Sequence, residues 1–147
     1  MSAVARRYYV RATELLKRGD LDSARDDFRA ALDMAPMFVE ARISYATVLA
    51  RIGEASRAAQ VLRAGLQNER RPRSRLSLES ALGDVLIAAG DYRGAEEAFT
   101  SAARTGGDLG LPQAELHDRL ARLRAKTGRF EEALDELLAA ARATSGK

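Results

Sequence analysis

A chain of 147 residues suits one ordinary domain, and its 46% hydrophobic content with few β-branched residues excludes extended disorder and favours helix. It holds no cysteine, which excludes a disulfide framework and a thiolate metal site. The net charge of +3 conceals a split: residues 1–75 carry 15 Lys and Arg against 9 Asp and Glu, and residues 76–147 carry 9 against 12.

From the N-terminus, Met1 to Val10 carries Arg6 and Arg7 before two tyrosines. It lacks the apolar core and cleavage site of a signal peptide. No apolar run reaches the ~18 residues of a membrane span, so a cytoplasmic location is expected. The apolar spacing predicts helices near 3–18 and 21–34. Gly19 closes the first, where a left-handed backbone or close approach is needed. Asp20 is placed to cap the second. Ala24 lets the two helices cross closely, Phe28 fills the gap beside them, and Pro36 stops the second helix.

Further helices are expected near 37–52, 55–68, 74–89, 92–105, 112–127 and 130–143. Linkers are expected from Asn68 to Arg75 and from Gly106 to Pro112, where prolines and glycines gather. No segment alternates with period two, so no strand is expected. The glycines return at Gly19, Gly53, Gly90 and Gly128, spaced 34, 37 and 38 residues apart. Each is followed at fixed distances by Ala24, Ala58, Ala95 and Ala133, then by Phe28, Leu62, Phe99 and Leu137. Upstream, a small residue recurs at Ala12, Ala46, Gly83 and Ala121.

That phased pattern resembles the tetratricopeptide repeat, a helix–turn–helix unit of about 34 residues. In the third unit Leu82-Gly83 followed by Leu86 is similar to the family's Leu-Gly-x-x-Tyr segment. The family's usual tryptophan is absent; its position holds Tyr8, Arg42, Glu79 and His117. The units run over 5–38, 39–72, 76–109 and 114–147 and form a single domain over residues 1–147. The resemblance implies an all-α fold: a right-handed α-solenoid of four helix–turn–helix repeats, about eight antiparallel helices, with a concave and a convex side.

Catalysis finds no support. His117 is the one histidine, and no phosphate-binding glycine loop appears. The acid pairs Asp26-Asp27, Glu96-Glu97 and Glu131-Glu132 diverge by ~100° on a helix and read as solvated faces. His117 reads as a packing residue. No catalytic residue, cofactor or metal is expected, and the chain is not expected to be an enzyme.

In this family the first helix of each unit builds the concave wall, chiefly through its positions 2, 5, 9, 12 and 13. The resemblance therefore implies a groove over Arg6, Tyr9, Thr13, Leu16 and Lys17 in the first unit and over Glu40, Ile43, Thr47, Ala50 and Arg51 in the second. The third unit contributes Ser77, Ser80, Asp84, Ile87 and Ala88, and the fourth Glu115, Asp118, Arg122, Ala125 and Lys126. The carboxylate clamp by which some members hold acidic chaperone tails is missing, because Tyr9 and Thr13 stand where its Lys and Asn belong. The expected partner is a protein or peptide whose apolar anchor docks on Tyr9, Ile43 and Thr47, while Arg6, Lys17 or Arg51 reads a nearby acid. The alternative is that these side chains are partly packed and the groove is empty.

The last helix carries a second signal. Its apolar face, Phe130, Ala133, Leu134, Leu137, Leu138 and Ala141, is wider than one amphipathic stripe requires. No polar capping helix follows in this sequence. Phe130, Leu134, Leu138 and Ala141 are therefore an expected association surface, for a homodimer or a partner protein; the alternative is that the fourth unit tilts and packs them internally. Finally, Arg70, Arg71, Arg73 and Arg75 surround Pro72. The competing functional reading is a nucleic-acid-associated regulator using this cluster and the basic N-terminal half. It lacks interleaved aromatics, and a solvated linker fits better.

Overall fold

Helix-forming composition and regular punctuation give helices throughout. The computed structural model describes residues 2–145. Residues 1, 146 and 147, at the ends of the expected domain, lie outside the described residues. Among the described residues there are eight helices and no strand. They are α1 (Ala3–Lys17), α2 (Leu21–Met34), α3 (Val39–Arg51), α4 (Ala55–Asn68), α5 (Pro72–Ala88), α6 (Tyr92–Asp108), α7 (Ala114–Lys126) and α8 (Phe130–Ser145). They group into two compact units, Met1–Glu69 and Arg70–Lys147. In the first, α1 packs on α2, α2 on α3 and α3 on α4; in the second, α5 packs on α6, α6 on α7 and α7 on α8.

The hairpin turn follows from one backbone requirement. Gly19 has φ of 82°, a conformation that costs an L side chain energy and glycine almost none. Its N–H donates to the Leu16 carbonyl and the Asp20 N–H to the Leu15 carbonyl, both at 3.0 Å, closing α1 in a Schellman motif. The Asp20 carboxylate then accepts from the Ser23 N–H at 3.2 Å and caps α2. Gly53, Gly90 and Gly128 repeat the turn.

Within the hairpins, Phe28, Leu62 and Phe99 are 0–1% exposed. The small residue expected opposite them is buried in all four repeats. In the third it is glycine for a reason: a Cβ on Gly83 would lie 2.5 Å from the Phe99 ring. Phe99 is fully buried and has nowhere to retreat. Gly83→Ala is therefore expected to destabilise the second unit by about 1–2 kcal/mol, overpacking outweighing the gain in helix propensity. Chemical denaturation followed by circular dichroism would show it; a gain in stability would mean that the ring yields freely.

In the second, third and fourth repeats the missing tryptophan is replaced by a polar tie between the two helices of the hairpin. Arg42 on α3 crosses to α4 and donates to the Val61 carbonyl at 2.9 Å. A side chain at Gly65 would collide with that arginine, whose Nε lies 2.8 Å from the Cβ position. Glu79 on α5, 3% exposed, accepts from Ser101 and from Thr105 Oγ1 (2.8 Å) on α6. His117 Nδ1 on α7 lies 2.5 Å from Glu136 Oε2 on α8. Each tie satisfies a polar group that burial would otherwise leave costly.

Two expected linkers are shorter than the sequence suggested. Pro72 is the first residue of α5, where its missing N–H is harmless, so Arg73 and Arg75 lie on a helix. At the other linker α6 runs on through Gly106 and Gly107 to Asp108. Its left-handed terminus is Gly110, φ 70°. The Gln113 side chain folds back over Gly106, leaving no room for a Cβ there. Pro112 precedes α7 rather than standing in its first turn.

Candidate functional site

In the first unit, Arg6, Tyr9, Thr13 and Lys17 are spaced at helical intervals along α1, and Ile43, Thr47 and Arg51 along α3, so each set shares one helix face. Tyr9 is half-buried. Its ring sits 5.7 Å from that of Phe28 and 4.9 Å from that of Phe38, joining α1, α2 and the start of α3. Ala5, Ala31, Phe38 and Ala41 form the core beneath it. Tyr9 is thus packed on one side by Phe28 and Phe38, while the residue as a whole stays partly accessible. The Thr13 hydroxyl donates to the Tyr9 carbonyl at 2.9 Å and the Thr47 hydroxyl to the Ile43 carbonyl at 2.8 Å. Both hydroxyls have spent their proton inside their own helix and offer a ligand only an acceptor. Arg6, Lys17 and Arg51 are exposed. Lys17 lies 3.5 Å from Glu14.

In the second unit the corresponding face is closed by its own charges. Arg119 on α7 donates to Asp84 on α5 at 2.7 Å and to Glu115 at 3.2 Å, with its guanidinium 5.6 Å from the Phe99 ring centre. Arg122 pairs with Asp118 at 3.1 Å. Ser80 is half-buried. Of the expected groove residues in this unit, Asp84, Glu115, Asp118 and Arg122 are already engaged.

Sequence reasoning missed a charge cluster behind that face. Arg124 on α7 meets Glu96 on α6 at 3.2 Å and also Glu136 on α8. Arg129 bonds Glu96 and reaches Glu132 at 3.1 Å. Partial burial pushes the Glu96 carboxyl up, but hydrogen bonds from Arg129 and Arg124, with their charges, outweigh it and hold the group below the usual carboxylate range. Two of the three acid pairs are therefore split, while Glu131 and Glu132 are both exposed. Asp27 is buried against Arg11, with oxygens 2.5 and 2.7 Å from its guanidinium, while Asp26 is exposed; Glu96 is engaged while Glu97 is exposed. The ~100° divergence of neighbours on a helix was the signal that could have found this.

On α8, Phe130, Leu134 and Leu138 are 70%, 56% and 47% exposed within the chain, and Ala141 is exposed as well. Ala133 is buried inward. The internal packing weighed as the alternative does not occur among the described residues. No group of three or more His, Asp and Glu that could hold a metal ion occurs among the described residues, nor any helix long and apolar enough to cross a membrane. Around Pro72, Arg70 and Arg73 are exposed, while Arg71 and Arg75 each take part in an interaction within the chain.

No curated protein matches the chain significantly. Its fold is similar to solved structures of MamA. "MamA 41-end from Desulfovibrio magneticus RS-1" superposes with a TM-score of 0.78 at 17% identity, covering 97% of this chain and 77% of that one. A second MamA crystal structure gives 0.77 at 16% identity, covering 99% and 76%. MamA from AMB-1 gives 0.73 at 20% identity, covering 95% and 79%. The tetratricopeptide repeat family model matches residues 9–74 and 80–147, nearly the whole chain. With the hairpins, their left-handed turns and the buried small–large pairs, that match identifies the chain as a member of the tetratricopeptide repeat family.

Proposed function

We propose that the chain works as a single tetratricopeptide domain with a non-catalytic role, an adaptor or scaffold holding a protein partner in the cytoplasm. Its first unit takes a peptide along α1 and α3. The observation that supports this reading is Tyr9, half-buried with its ring against Phe28 and Phe38 and on the same face of α1 as the exposed cations Arg6 and Lys17. A ring already held in place loses little entropy when a ligand packs on it. Ile43 supplies a second apolar contact, Thr13 and Thr47 supply acceptors, and Arg6, Lys17 and Arg51 favour an acidic neighbour. In the second unit, Ser80, Asp84 and Arg122 would tune the partner's choice, once Asp84 and Arg122 exchange their internal pairs. The apolar face of α8, Phe130, Leu134, Leu138 and Ala141, is a second association surface.

Selection from a random peptide display library tests the groove. Recovered peptides are expected to carry one large apolar residue beside Asp or Glu. Ile43→Arg should weaken their binding tenfold or more, since burying a branched aliphatic side chain contributes ~1.5–3 kcal/mol. The triple change Arg6→Glu, Lys17→Glu, Arg51→Glu should invert the charge preference. Unchanged binding by both variants, with native helicity, would reject the groove.

A further inference from the structure

We infer that the apolar face of α8 is covered by α8 of a second copy, the two helices running antiparallel about a two-fold axis. This rests on reading α8 as an association surface and adds the occupant and its geometry. The repeat position held by Phe28, Leu62 and Phe99 is 0–1% exposed, but in the fourth repeat it is Leu137, 46% exposed. In the second unit that position is covered partly from the next hairpin: Arg119 on α7 lies over Phe99. Where α6 is met by α7, the equivalent face of α8 carries exposed apolar side chains.

The first helix of another copy does not fit that face. Within each unit α3 packs on α2 and α7 on α6, and three positions of these first helices turn inward: Ala41, Tyr45 and Val48 are buried in α3, as are Leu120 and Leu123 in α7, with Leu116 half-buried. In α1 the same positions are Arg7, Arg11 and Glu14, all exposed. Seating them on Phe130, Leu134 and Leu138 would bury charges against hydrocarbon. Head-to-tail stacking of copies is thereby disfavoured.

A second α8 does fit. Phe130, Leu134, Leu137, Leu138 and Ala141 form one stripe. Antiparallel pairing centred between residues 135 and 136 sets Phe130 over Ala141 of the other copy and Leu134 over its Leu137, large against small at the ends. Glu131, Asp135 and Arg142, all exposed, share one flank of the stripe. In a two-fold antiparallel pair like flanks meet, so Glu131 of each copy lies within a turn of Arg142 of the other. A parallel pair would instead align the N-terminal carboxylates Glu131, Glu132, Asp135 and Glu136 of both copies, and both helix dipoles. The interface is isologous, so assembly stops at two.

Sedimentation equilibrium on the 147-residue chain tests this directly. The expected mass is twice that of the chain, falling to one chain for Leu134→Glu, Leu138→Glu with helicity retained. Glu131→Arg and Arg142→Glu singly should each raise the dissociation constant about three- to tenfold, and together restore it, because the swap rebuilds both pairs. A monomeric wild type, an unchanged mass for the double-Glu variant, or charge variants without rescue would each overturn the proposal. Ile43→Arg should leave the dimer intact, so loss of peptide binding and loss of the dimer are separate results.

Discussion

Phe99→Ala is expected to cost the second unit about 3–5 kcal/mol, the usual penalty for emptying a fully buried aromatic site. The site cannot collapse easily. One wall is Gly83, with no side chain to move inward, and another is Arg119, held by Asp84 and Glu115. The equivalent change Leu137→Ala, made in the monomeric Leu134→Glu, Leu138→Glu background, should cost under about 1 kcal/mol, since that side chain is 46% exposed. Urea unfolding followed by helicity would read both through the midpoint at constant slope. Against a typical domain stability of ~5–15 kcal/mol, the first loss is large and the second close to noise. Similar losses at both positions would mean that repeat position, not burial, sets the energetics.

The contrast shows what the sequence carried. A repeat announces its packing positions because each copy solves one steric problem: a glycine for a left-handed turn, a small residue where helices cross, a large one beside it. All eight helices were legible from those positions. Features that differ between copies were not. The polar ties from Arg42, Glu79 and His117 each use different chemistry in one slot, so no recurring residue type betrays them. The extension of α6 through Gly106 and Gly107 contradicts local propensity and depends on the Gln113 side chain, several residues further on. Tyr9 was read from the family's pattern as a groove residue; its contact with Phe38 depends on how α3 docks, which spacing within α1 does not encode.

Arg124→Ala is expected to destabilise the second unit by about 2–4 kcal/mol. Its side chain is 16% exposed and stands between Glu96 and Glu136, themselves 20% and 17% exposed. Removing it leaves carboxylates from α6 and α8 near one another in a poorly solvated place, with Arg129 and His117 as the remaining partners. Most of the cost should therefore come from the stranded acids, and adding Glu136→Gln should recover about 1 kcal/mol of it. Acidity supplies the independent check. Glu96 is held below its ordinary value, so its contribution is fully present above the unfolded carboxylate value of ~4.3 and is lost as pH falls through the folded one. The native chain should lose stability steadily on acidification from about pH 5, and Arg124→Ala, in which Glu96 keeps only Arg129, should lose less. The two stability curves should converge as pH falls through the lowered Glu96 value. Curves that stay parallel throughout the acid range would show that Arg124 acts by packing its stem rather than by holding the carboxylates.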